Sequence, residues 1–334
     1  MSNKSIAESN SSQWSNASSP NKHLKNYFLA AITIDSTIVV AGTVINVWFL
    51  AALLLSPEIR ARIRNKVVCA LMGAHLTEAV IICPYFIVRT TAFYLDTNVP
   101  VDCSLQTILT IMYHIQDFVG NWYLLSLLCV FAAQVMNFEP KFTSQWIKIL
   151  TVSIFVTPCV FSVLFVPITM KSFYLRYSDH RCFFSTEAAV KVFTSLDTAV
   201  PLTLSGLLLM ATAVLKYRRY PQGRSSDTLR EQLIDAGSQI DPLHPFVAIL
   251  LTVVASDFCT MLMFLDPNIF DALSYKDWLH VYLVFEVLGY LRIILVPVEL
   301  LLFPDIRKRI KSWRPWRRSA LRADVVVTYQ RNTS

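Results

Sequence analysis

The chain has 334 residues, 54% hydrophobic and 16% charged, whereas a soluble domain of this size carries about a quarter charged residues. The apolar residues come in long blocks, and the net charge of +7 lies in clusters beside those blocks. This excludes a soluble globular domain and a nucleic-acid-binding one, and predicts a membrane protein.

In chain order, residues 1–26 are polar and Ser/Asn-rich, with no apolar run of signal-peptide type, and are expected to be disordered. They hold three sequons, at Asn3, Asn10 and Asn16, expected to be glycosylated. Seven apolar spans follow, at about 27–55, 67–88, 105–136, 147–170, 189–215, 245–265 and 278–303. Each exceeds the roughly 20 residues that cross about 30 Å of hydrocarbon. Backbone groups in lipid must be satisfied within their own segment, so each span is expected to be a helix. The fold class is therefore all-α, a seven-helix transmembrane bundle over residues 27–303.

Lys and Arg are distributed unevenly between the two sides. Segments 56–66, 137–148, 216–244 and 304–334 carry 20, against 9 in segments 1–26, 89–104, 171–191 and 266–277. The positive-inside rule puts the richer side in the cytoplasm, with the N-terminus outside. Of the seven cysteines, five fall within spans, while Cys103 and Cys182 sit at outer ends, where an oxidising exterior permits a disulfide. No spacing resembles a metal site. After Pro304, Ile306, Ile310 and Trp313 recur at helical spacing, with Arg307, Lys308 and Lys311 on the other face. Residues 304–316 are thus expected to form an amphipathic helix on the membrane surface, with 317–334 a disordered tail.

Further residues carry a family resemblance. Gly42-Thr-Val-Ile-Asn46, Pro201, Pro297 and Ile306, in this order and with this topology, resemble the rhodopsin-like G-protein-coupled receptors. Asn46 looks like that family's first-helix polar residue, Pro201 its fifth-helix proline and Pro297 the proline of its Asn-Pro-x-x-Tyr motif. Leu243-His-Pro-Phe-Val-Ala-Ile-Leu-Leu251 and Leu291-Arg-Ile-Ile-Leu-Val-Pro297 are similar to fish and amphibian odorant-receptor-like sequences. The chain departs from the family at three points. The seventh-helix motif reads Val296-Pro-Val-Glu-Leu300, the Asp-Arg-Tyr position reads Ala132-Ala-Gln134, and helix six lacks Cys-Trp-x-Pro. The resemblance implies a heterotrimeric G protein as partner at an inner face formed by Arg60, Arg62, Arg64, Ala133, Arg218 and Arg219. The missing arginine puts that coupling in doubt and leaves open a non-signalling scaffold or decoy.

Ionisable groups inside a bilayer are costly and mark function by default. Here they are Asp35, Glu78, Asp117, Asp257, Glu286, Arg292 and Glu299. Counted from the outer helix ends at 1.5 Å per residue, His114 and Asp117 lie roughly 15–18 Å deep, with Glu286, Tyr290 and Asp257 at similar depth. Two readings are open. The acids line one outward-facing pocket for a cationic small molecule or peptide, or Arg292 neutralises Glu286 or Asp117 internally. Asn46, Glu78 and Ser126 are expected as a polar core at mid-to-inner depth, and Glu299 is expected to pair with a base at the inner mouth. There is no His-Glu-x-x-His and no phosphate loop among only seven glycines, so neither enzyme activity nor a cofactor is expected. The expectation is a plasma-membrane receptor, chemosensory or orphan, with a transporter or channel as a further alternative.

Overall fold

The computed structural model describes residues 22–57, 62–95, 103–136, 152–153, 156, 160, 176–178, 181–183, 195–219, 240–258, 261–262, 273 and 275–312. The first helix, α1, spans Lys22–Leu54. The next run is continuous and helical: α2 (Ile63–Thr77), a wide π-turn (Glu78–Ile82) and α3 (Cys83–Leu95). Then come α4 (Cys103–Val135) and two short strands, β1 (Arg176–Ser178) and β2 (Arg181–Phe183), paired antiparallel with Tyr177 opposite Cys182. A second π-turn (Ser195–Ala199) runs into α5 (Val200–Arg219), followed by α6 (His244–Ser256), α7 (Tyr275–Leu300) and α8 (Pro304–Ser312). Apart from that one strand pair, the regular elements among the described residues are helices.

Four helical runs are long and apolar enough to cross a membrane: Lys25–Leu54, Ile63–Ala92, Ile115–Val135 and Ser195–Arg219. Leu283–Leu300 together with α8 makes a fifth if that pair, bent by 92°, counts as one span. Of the seven expected spans, the fourth is described only at helical residues 152–153, 156 and 160. In the sixth, α6 has 13 residues, short of a span, but helical bonding continues beyond it: Met261 N–H donates to Asp257 O at 3.0 Å. The helices turn apolar side chains outward. Val40, Val44 and Val47 on α1 and Leu207, Met210 and Val214 on α5 are all exposed. Contiguous outward apolar faces suit lipid rather than water, as in a multi-pass membrane protein. The sequons at Asn3, Asn10 and Asn16 and the tail beyond residue 312 lie outside the described residues.

Three prolines shape the core. A proline lacks the N–H that would bond the carbonyl four residues back, and its ring crowds that carbonyl. Pro84 and Pro201 each follow a π-turn by two residues, so the carbonyl four back (Val80, Asp197) lies inside the widened turn. The freed Asp197 oxygen accepts a hydrogen bond from Asn121 Nδ2 on α4 at 3.0 Å, and Trp122 Nε1 donates to the neighbouring Leu196 oxygen at 3.2 Å. Pro297 lies inside α7 and frees the carbonyl of Ile293, which accepts from Asn46 Nδ2 on α1 at 2.7 Å. Gly42 makes this approach possible: a Cβ there would stand 2.5 Å from Ile293 Cγ2. The first-helix and seventh-helix residues singled out in the sequence therefore meet in a single bond.

The mixed amphipathic helix α8 buries Ile306 completely and leaves Arg307 and Lys308 exposed, in the pattern expected from sequence. Its Arg309 donates to Ser56 Oγ at the end of α1.

The Asn46–Pro297 relation can be measured. Asn46→Leu strands the buried Ile293 carbonyl and should cost about 1–3 kcal/mol, read as a lower unfolding midpoint in detergent. In a Pro297→Ala background the restored Ala N–H can bond that carbonyl, so Asn46→Leu should cost less than half as much. Equal costs in the two backgrounds would show the bond carries no weight.

Candidate functional site

The centre of the bundle is organised by Arg292 on α7, which is 3% exposed. One edge of its guanidinium grips Glu78 bidentately, Nε to Oε2 at 3.2 Å and Nη2 to Oε1 at 2.7 Å. The same Nη2 donates to Asp117 Oδ1 on α4 at 2.5 Å, and Nη1 donates to Asp257 Oδ1 just past α6 at 2.9 Å. Four helical runs thus converge on one cation. The local reason lies in the helix breaks. The π-turn places Glu78 at its first position, and Asp257 sits where α6 ends, with a non-helical backbone that turns its carboxylate inward. Neutral donors share the load: Gln116 Nε2 bonds Glu78 Oε2 at 3.0 Å and Asn121 Nδ2 bonds Asp257 Oδ2 at 3.2 Å. His75 Nδ1 stands 3.5 Å from Glu78 Oε2, one turn away. Planar, forked donors make arginine suited to gathering several carboxylates, which a lysine point charge does less well.

A second network closes the end of the bundle that carries α8. Arg64 at the start of α2 is buried, with its Cζ 4.4 Å from the centre of the Phe303 ring. It pairs with Asp241, which leads into α6, and with Asp305 Oδ2 of α8 at 2.5 Å. Its Nε and Nη2 also donate to Asn65 Oδ1 at 3.0 and 2.8 Å. Asp241 is held on its backbone as well: Lys216 Nζ of α5 donates to its carbonyl at 2.8 Å, and its N–H donates to Gln134 Oε1 of α4 at 3.5 Å. Burial raises the Asp241 carboxyl above the usual carboxylate range, and Arg64 opposes this. Beneath the knot, Phe246 stacks on Phe131 with centroids 4.2 Å apart and meets Phe303 edge-on at 5.2 Å.

These contacts redistribute the residues singled out in the sequence. Asp117 and Asp257 are both held by Arg292, so the internal-pairing reading describes them, and Glu78 joins them where Glu286 had been weighed. Glu286 is half-buried on α7 and absent from the bonds of Arg292, while Tyr290 is buried against Ile38 and Ile293. The side chain of His114 lies outside the described residues. The expected polar core divides three ways: Asn46 bonds Ile293, Glu78 bonds Arg292, and Ser126 Oγ donates to Trp122 O of its own helix at 2.9 Å. Glu299 accepts from Thr252 Oγ1 on α6 at 2.5 Å rather than pairing with a base.

Of the expected inner-face residues, Arg62, Arg218 and Arg219 are exposed and Ala133 is half-buried. Arg64 departs from that expectation, because its charge is drawn inward by Asp241 and Asp305. Arg60 and the side chains of Cys103 and Cys182 lie outside the described residues, as does any disulfide between them. Among the described residues, no group of three or more His, Cys, Asp or Glu can hold a metal ion. Asp241 escaped the sequence reading; an acid just before the His244-Pro245 helix start is the signal that could have flagged it. Compared with protein-family models and with curated proteins, the chain matches none.

Breaking a buried ion network costs more than replacing all of it. Arg292→Met should remove the folded, monodisperse protein by leaving three carboxylates facing one another. Adding Glu78→Gln, Asp117→Asn and Asp257→Asn should recover it, judged by size-exclusion profile and unfolding midpoint. A quadruple variant that folds no better than the single one would refute a network built on charge balance.

Proposed function

We propose that the chain is an atypical rhodopsin-like receptor, chemosensory or orphan, of the plasma membrane. In this reading seven helices span the bilayer, with the N-terminus outside and the Arg64 and α8 end in the cytoplasm. An extracellular ligand acts between the outer halves of the helices, and a heterotrimeric G protein reads the result at the basic inner face. The reading is supported by the resemblance of Asn46, Pro201, Pro297 and Ile306 to the family's pattern, and by the charge asymmetry of the loops.

The observation that carries it is the Arg64 knot. A two-state helix bundle needs a contact that is made in one state and broken in the other, at the end where the transducer binds. At the Ala132-Ala-Gln134 position α4 offers no arginine. Instead Gln134 accepts from the Asp241 backbone, and Arg64 of α2 supplies the guanidinium that grips the Asp241 carboxylate. Opening the knot would free the start of α6 from α2, α5 and α8 together. Lys216 and Arg64, left without Asp241, would then face the acidic and carboxyl-bearing surface of a partner.

The exposed Arg62, Arg218 and Arg219 ring the same end and give the face its positive field. A field of this sign also suits anionic lipid headgroups under α8.

Recruitment of a G protein, followed by a proximity assay in cells, tests the reading. Asp241→Asn and Arg64→Gln each remove one side of the knot and should raise ligand-free recruitment. A loss of about 1–2 kcal/mol from the closed state corresponds to roughly 5–30-fold in the ratio of the two states. A panel of amines and odorants should raise the signal of the unmodified chain. No recruitment from the native chain under any of these, from either variant, or from Ala133→Arg would leave the scaffold reading in its place.

A further inference from the structure

Besides Asp197 and Glu299, which accept from Thr198 and Thr252, two intramembrane acids belong to neither arginine network. Asp35 lies on α1 and Glu286 on α7, and the contacts between these helices set the register of the two residues. The Tyr27 and His280 rings meet edge-on at 5.9 Å, and further along Gly42 touches Ile293, so α1 and α7 run parallel. Asp35 precedes Gly42 by seven residues, and Glu286 precedes Ile293 by seven. Seven residues are close to two helical turns, which returns each helix to the same face. This register sets the two acids at about one height on the facing sides of α1 and α7.

The seam is sealed on its deeper side. Ile38, Val39, Tyr290 and Ile293 pack together one turn and more below the pair, with Ala79 and Cys83 closing the third side. Asp35 is 2% exposed, and its Oδ1 has no hydrogen-bond partner. Glu286 is half-buried. No Lys, Arg or His is paired with either acid among the described residues.

Two carboxylates facing each other in an apolar seam stay ionised together only with a cation between them. We propose that Asp35 and Glu286 are the binding site of an organic monocation, a protonated amine, seated between α1, α3 and α7. The walls favour an organic cation over a metal ion: they are aliphatic and aromatic, and no cluster of three ligating side chains stands nearby among the described residues. Tyr27, about 12 Å from Asp35 along α1, offers an aromatic ring on the approach to the pair. The proposal rests on the receptor reading for what the site is for, and on the helix register alone for where it is.

The test uses the full chain in lipid nanodiscs, with phenethylamine and butylamine as probes and 2-phenylethanol and butanol as their uncharged counterparts. The amines should raise the unfolding midpoint with concentration and the alcohols should not. Asp35→Asn and Glu286→Gln should each raise the amine concentration needed by tenfold or more. Asp277→Asn, which alters an exposed acid at the start of α7, should leave it unchanged. Glu286→Lys supplies the cation from within, so it should raise the midpoint without any amine and abolish the response to amines. Amines that act no better than the alcohols overturn the site, as does an amine response that survives in both Asp35→Asn and Glu286→Gln. Stabilisation by amines without G-protein recruitment keeps the site and removes the receptor reading. Recruitment by amines that ignores both substitutions keeps the receptor reading and overturns the site.

Discussion

A guanidinium cannot be left unpaired in an apolar bundle, and most of this structure follows from where Arg292 finds its partners. The partners come from three other helical runs: Glu78 from the π-turn, Asp117 from α4 and Asp257 from the end of α6. Each brings its helix to a fixed height on α7. The neutral donors Gln116 and Asn121 then spread the excess negative charge onto amides. A hydrophobic core of the same size would hold the helices together, but it would not fix their relative heights as sharply, because apolar contacts are non-directional.

The same economy of polar groups explains the helix breaks. Each of the three prolines removes one backbone donor from a helix that has no water to replace it. At Pro201 and Pro297 the orphaned carbonyls are met by Asn121 and Asn46, side chains of other helices. The defects thereby become the polar joints between helices: α4 to α5 in one case, α1 to α7 in the other. Gly42 serves the second joint, since only a residue without a Cβ lets α1 come close enough for Asn46 to cross. At the α8 end, Arg64 plays the part that Arg292 plays in the centre, with the Phe131, Phe246 and Phe303 cluster beneath it in place of lipid. One arginine sets the middle of the bundle and the other its end, and α6 touches both through Asp257 and Asp241.

Much of this was legible in the sequence, and some of it could not have been. The apolar blocks reveal the helices because crossing hydrocarbon demands length and continuity, both properties of a linear chain. Asn46, Pro297 and Ile306 stand out one at a time for similar reasons, as an amide, a proline and an anchor in otherwise apolar or basic runs. Depth counting also placed Asp117, Asp257 and Glu286 near one level, and it offered Arg292 as a neutraliser. It weighed Glu286 beside Asp117 and not Glu78, because depth does not give direction. The π-turn at Glu78–Ile82 alters the facing of the residues around it, and an even 3.6-residue count cannot anticipate that.

The sequence alone determined what had to be buried and what had to be paired: long apolar spans, one cation in the middle of α7, and prolines that would each strand a carbonyl. Only the tertiary structure decided who pairs with whom. Arg64 reads in the sequence as one more solvated charge in a basic loop, yet it is buried because Asp241 and Asp305, 177 and 241 residues further on, arrive beside it. Asp35 and Glu286 likewise become a pair only when α1 and α7 lie parallel in register. The reason is physical: the cost of an unpaired charge or amide is a property of the residue, whereas the partner that removes the cost is a property of the packing.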